Sequence, residues 1–166
     1  MQLRFLLPAL LTLLIQRVLG MPGLPSWTAE VMLPVVWIVA AALLRKEPGW
    51  PYEALILGLA WDLLLEPVVG PGGIAWSAAC LALYALAGVV ADRSPRAWAG
   101  FGLVGTAVLT LVHQAAFLPL GLPLSYTFGH WVRTLLFTSA WCGLVGVVLA
   151  LDLPARWRAY RSRRLR

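Results

Sequence analysis

Along the chain, long apolar stretches alternate with short polar, proline-rich or glycine-rich ones. The pattern predicts six helical spans, at about Leu3–Leu19, Trp27–Leu44, Tyr52–Val69, Ile74–Ala91, Ala97–Leu118 and His130–Leu151. Most approach the ~20 residues needed to cross ~30 Å of hydrocarbon. Between them lie the breaker-rich loop Gly20–Ser26, the charged turn Arg45–Trp50 and the tight turn Gly70-Pro-Gly-Gly73. The charged turn Asp92–Arg96 and the loop Pro119–Phe128 follow. Val18-Leu19-Gly20 makes a poor cleavage site, so the first stretch reads as a retained span.

The third span differs from the others in carrying two acids. Gly58, Asp62 and Glu66 are spaced i, i+4, i+8, which places them along one narrow helix face. An acid within a span is costly and normally faces a partner or a wet cavity. A second reading stays open, in which Asp62 and Glu66 sit near the water at a helix end.

Composition supports the membrane assignment. Of 166 residues, 61% are hydrophobic and 12% charged, with a mean hydropathy of +0.82. A soluble domain of this size needs far less apolar surface. The expected class is an all-α integral membrane protein, a six-transmembrane-helix bundle over residues 1–155 with a basic cytoplasmic tail over 156–166. Cys80 and Cys142 fall inside apolar stretches without metal-like spacing and read as small packing residues.

Charge sets the orientation. The net charge is +6, and Arg156, Arg158, Arg161, Arg163, Arg164 and Arg166 concentrate it in the tail. With the N-terminus inside, 11 of the 13 basic residues lie on the cytoplasmic side, and only Arg17 and Arg133 do not. Five spans would put the tail outside and break this pattern. Beside a span, such a tail faces anionic lipid rather than nucleic acid. Trp50, Trp98 and Trp157 then flank the inner ends, and Trp27, Trp76 and Trp131 the outer ends, as in an aromatic belt.

Once oriented, the intramembrane polar residues gather in the outer half: Arg17, Glu30, Asp62, Glu66, His113, Gln114 and Arg133. Pairing makes such charges tolerable, and Arg17 or Arg133 with Asp62 is the expected pair. The alternative is that Arg17, Glu30 and Arg133 each reach the outer interface independently. No HExxH, GxSxG or phosphate-binding glycine loop is present, and Ser77, Ser125 and Ser139 have no adjacent base. No catalytic residue, metal or cofactor is therefore expected. Ala75/Ala79 and Ala78/Ala82 make the fourth span a packed helix–helix seam, and Gly100, Gly102, Gly105, Gly143 and Gly146 suit packing within the bundle or docking of a foreign helix.

Gly58-x-x-x-Asp62-Leu63, then Gly70 eight residues past the aspartate, then an alanine-rich apolar span, resembles the centre of the rod shape-determining MreD family. The resemblance covers roughly residues 52–90 and extends elsewhere to length, short loops and the basic tail. It implies a non-enzymatic scaffold subunit of the bacterial cell-elongation and peptidoglycan-synthesis complex, in the inner membrane with both termini cytoplasmic. Its implied partners are an MreC-like bitopic protein, RodA with its penicillin-binding transpeptidase and, indirectly, actin-like MreB. The family is also similar in fold to substrate-binding subunits of energy-coupling-factor vitamin transporters, which supplies the alternative function.

Overall fold

The computed structural model describes residues 3–21, 30–44, 50–65, 69–90, 92–120 and 127–151. Glu66, Trp27, Trp157, the Arg45/Lys46 turn and the six arginines of the tail lie outside these residues. The described residues form six α-helices and no strand: α1 Leu3–Leu19, α2 Leu33–Leu44, α3 Trp50–Leu65, α4 Pro71–Val89, α5 Pro95–Phe117 and α6 Phe128–Ala150. A 3₁₀ turn, Leu118–Leu120, follows α5. Helices α4, α5 and α6, of 19, 23 and 23 residues, are long and apolar enough to cross a membrane.

Helices α3 to α6 pack as successive hairpins, with the most extensive contact between α5 and α6. Helix α2 lies against α1, α4, α5 and α6, while the main contacts of α1 among the described residues are with α2 and α3. The core forms where α2 meets the others, from Val35, Ile38 and Val39 with Ala75, Trp76, Ala79, Leu83, Phe101 and Leu109.

The shortest helix is thus the most surrounded one. At 12 residues, α2 is ~18 Å long and does not by itself cross the hydrocarbon. The apolar pattern predicts its start near Trp27, but the helix begins at Leu33. Pro34 accounts for the difference. In a helix starting at Trp27, the Pro34 ring would clash with the carbonyl of Glu30 and lack the N–H to bond it. As the second residue of α2, Pro34 costs no hydrogen bond. Glu30, Val31 and Met32 are consequently non-helical, and all three are buried in protein. Proline also moves the start of α4. Pro71, Gly72 and Gly73 form its first turn instead of a separate loop, again with proline at the first position.

Helix α6 touches the bundle along one stripe. Its buried residues are Thr134, Thr138, Cys142 and Gly146, each four apart. Opposite them, a Cβ on Gly102 would lie 2.7 Å from the Cys142 sulfur, and one on Gly146 would lie 2.7 Å from Trp98. The α5–α6 seam therefore depends on absent side chains. Of the glycines that left two readings open, Gly102, Gly105, Gly143 and Gly146 meet neighbouring helices and serve packing within the bundle, whereas Gly100 has open space around it. On the opposite side of α6, Leu136, Phe137, Trp141 and Leu144 face outward.

The aromatic-belt expectation is corrected at two positions. Trp98 is buried over Gly146, and Trp76 is buried against Trp61 with ring centroids 5.6 Å apart. Small residues opposite these rings leave room for them inside, where their large apolar area is worth more than at an interface.

Two outcomes follow. Gly146→Ala should cost about 1–3 kcal/mol by overpacking, while Gly100→Ala, with open space around its Cβ, should be neutral or slightly stabilising. Thermal unfolding in detergent reads both, and equal effects would refute the tight seam. At the α4–α5 turn, the Asp92 carboxylate accepts from the Ser94 hydroxyl and N–H, which holds its pKa below the usual 3.8. A depressed carboxylate stabilises the fold above its unfolded pKa and loses that contribution as pH falls through the folded value. The Ser94 amide signal should therefore titrate below pH 3.8, and a midpoint above it would contradict the cap.

Candidate functional site

Asp62 lies one turn from the C-terminal end of α3, where the helix dipole disfavours a carboxylate. Across the turn stands the positive end of α4. Helix starts leave backbone N–H groups without intrahelical partners, and here one side chain takes them up. Asp62 Oδ2 accepts from Gly70 N at 2.7 Å, Gly72 N at 3.1 Å and Gly73 N at 3.3 Å, and Oδ1 accepts from Gly72 N at 2.9 Å. Pro71 has no N–H to satisfy, and Ile74 N donates to Gly70 O. The start of α4 is thereby fully bonded, and Asp62 is 0% exposed.

The glycines around it have physical reasons. Gly70 has φ +127°, a conformation other residues rarely adopt. A Cβ on Gly72 would overlap the Asp62 carboxylate, and one on Gly58 would lie 2.8 Å from Gly72 O. Gly58, Asp62 and Gly70 thus form one device: a close helix crossing, a remote cap and the turn that aims the backbone at it.

The expected pairing of Asp62 with Arg17 or Arg133 is corrected. Among the described residues the Asp62 carboxylate meets backbone N–H groups and no arginine. Arg133 is bound elsewhere, its Nε 3.1 Å from Glu30 Oε1, and Arg17 is exposed at the end of α1. The reading that Glu30 and Arg133 act independently is corrected by the same ion pair. His130 Nδ1 stands 4.0 Å from the same carboxylate oxygen. Glu30 is buried, just ahead of the start of α2, where the helix dipole also favours its charge.

Two neighbouring helices supply the caps at that start. Gln16 Oε1 of α1 accepts from Leu33 N at 3.0 Å, and Thr138 Oγ1 of α6 accepts from Met32 N at 3.0 Å. Sequence reasoning passed over both residues in this role. Thr138 carried one signal, its place in the four-residue spacing of small residues on α6; the task of Gln16 shows only in three dimensions. His113 is buried edge-on to Phe117, centroids 4.7 Å apart, and lines a cavity with Met32, Trp61, Trp76, Leu109 and Thr110. The cavity has room for about one water molecule. Trp131 Nε1 donates to Thr110 Oγ1 at 2.7 Å beside it. Gln114, next along α5, is half-buried.

The structure thus gathers Glu30, Asp62, His113 and Arg133 at one end of the bundle, with Arg17 at its edge. Chemically the arrangement satisfies buried helix starts and one ion pair. Among the described residues no cluster of His, Cys, Asp and Glu has the make-up to hold a metal ion.

Asp62→Leu should cost about 3 kcal/mol or more, since it strands buried N–H groups. Asp62→Asn keeps one acceptor but turns an amide toward donors, and should cost about 1–2 kcal/mol. Chemical or thermal unfolding in detergent orders the variants. Adding Arg17→Gln or Arg133→Gln should not rescue Asp62→Asn; a rescue would restore the charge-pair reading.

Compared with known proteins, the chain matches no family model, no curated protein and no solved structure.

Proposed function

We propose that this chain is a non-enzymatic, six-span scaffold subunit of the bacterial cell-elongation complex, as the resemblance to the MreD family implies. The observation that carries the reading is the state of Asp62. Its carboxylate, wholly buried, is occupied by the N–H groups of Gly70, Gly72 and Gly73. A general acid or base must reach a substrate proton, and an aspartate so engaged holds two helices together instead. In this reading Gly58, Asp62 and Gly70 are a structural signature of the α3–α4 hairpin. The outward apolar side of α6 offers a surface for partner helices such as an MreC-like span or the RodA pair.

Helices α4, α5 and α6 are long and apolar enough to span, while α1, α2 and α3 are shorter apolar helices; the six-span reading counts the buried approach of residues 30–32 with α2. Non-helical backbone at membrane depth is tolerated where protein surrounds it. The vitamin-binding alternative asks for a pocket of roughly 300–1,000 Å³, whereas the cavity beside His113 takes about one water molecule. Among the described residues, a cavity of that size suits the scaffold reading better.

Two measurements test this. Gentle extraction with native mass spectrometry should recover the chain with a single-span partner, and a stoichiometric bound vitamin would overturn the scaffold reading. Reporter fusions after residues 72 and 123 should read as periplasmic, and those after 94 and 166 as cytoplasmic; a periplasmic C-terminus would refute the topology.

A further inference from the structure

Arg133 is the exposed half of an ion pair whose other half is buried. Its side chain is 61% exposed and that of Glu30 is 7% exposed. Glu30 engages the guanidinium through Nε at 3.1 Å, which leaves the two terminal nitrogens for another partner. The donors on the two terminal nitrogens have no other ionic partner among the described residues. Glu30 does not cancel this charge alone, because the positive start of α2 shares its carboxylate. The result is an exposed cation tethered at Nε by a buried carboxylate.

The surroundings say what that fork meets. At the start of α6, exposed Phe128 lies against half-buried Trp131, ring centroids 6.0 Å apart, and a tryptophan at a span end fits the headgroup level. Arg133 follows Trp131 by two residues, ~3 Å along the axis. Leu136 and Phe137, next along the helix, face outward as acyl-chain contacts would. An arginine fork matches the paired oxygens of a phosphate.

We infer that Arg133, clamped by Glu30, is a binding site for the phosphate of a phospholipid in the leaflet at this end of the bundle, with the acyl chains against Leu136 and Phe137. The inference rests on the membrane reading but not on any partner. It goes beyond ordinary snorkelling, since an arginine already tethered at Nε loses less freedom on binding.

The test uses the full chain in vesicles of phosphatidylglycerol and phosphatidylethanolamine, followed by mild extraction and native mass spectrometry. The unaltered chain should retain about one phospholipid per chain that Arg133→Gln does not. Arg133→Lys, which keeps a charge for Glu30 but removes the fork, should lose most of that retention while folding normally. Glu30→Gln keeps the guanidinium and should retain the lipid more weakly. Arg17→Gln removes another exposed arginine at the same end and should change nothing. Equal retention in all variants would overturn the site. So would equal loss in Arg17→Gln and Arg133→Gln, which would mark a non-specific contact, or full retention in Arg133→Lys, which would mark plain charge attraction. Failure of the scaffold reading shows separately, as absence of a captured partner.

Discussion

A helix that begins away from water must find acceptors for its first N–H groups, and the fold turns on how this chain does so. In an apolar medium each unsatisfied group is expensive. Helix α4 is served by Asp62 from the preceding helix, and α2 by Gln16 and Thr138 from two others. At the starts of α5 and α6 the acceptor is local: Ser94 caps α5 and Thr127 caps α6. The remote caps do more than the local ones. Each ties together helices that are not continuous, so satisfying the backbone and assembling the bundle are one event.

Proline makes these caps workable. Pro34 and Pro71 lie in the first turns of α2 and α4, and Pro95 in that of α5. Each removes one N–H that would need an acceptor and stops the helix from extending backward. At α2 this leaves Glu30, Val31 and Met32 buried without helical structure, which brings Glu30 within reach of Arg133. The ion pair is thus a consequence of where Pro34 starts the helix. Its asymmetry matters as well, since a buried carboxylate engages an exposed guanidinium.

Packing follows a different rule on each side of α5. Toward α4 and α2, large side chains such as Trp76, Phe101 and Leu83 fill the interior. Toward α6, glycine, threonine and cysteine bring backbones together, with Gly102 on Cys142 and Trp98 on Gly146. Without a hydrophobic driving force between helices in lipid, close backbone approach is the main source of cohesion. That explains how α6 holds on by a four-residue stripe while most of its surface stays outward.

The apolar periodicity of the chain predicted the six helices found among the described residues and most of their ends, because helices that bury themselves in an apolar setting need long apolar runs. Spacing also placed Gly58 and Asp62 on one face and gathered the polar residues toward one end. The identity of their partners was beyond it. Sequence reasoning paired Asp62 with an arginine by matching charge and depth, whereas the nearer acceptor demand came from backbone groups, which every residue except proline carries and no sequence pattern distinguishes. Trp76 and Trp98 misled for a similar reason, since a tryptophan near a span end reads the same whether it faces lipid or a glycine on the next helix. The start of α2 was legible in principle from Pro34. The convergence of Gln16, Glu30, Arg133 and Thr138 around it was not, because side chains from three separate segments meet there only after the helices have packed.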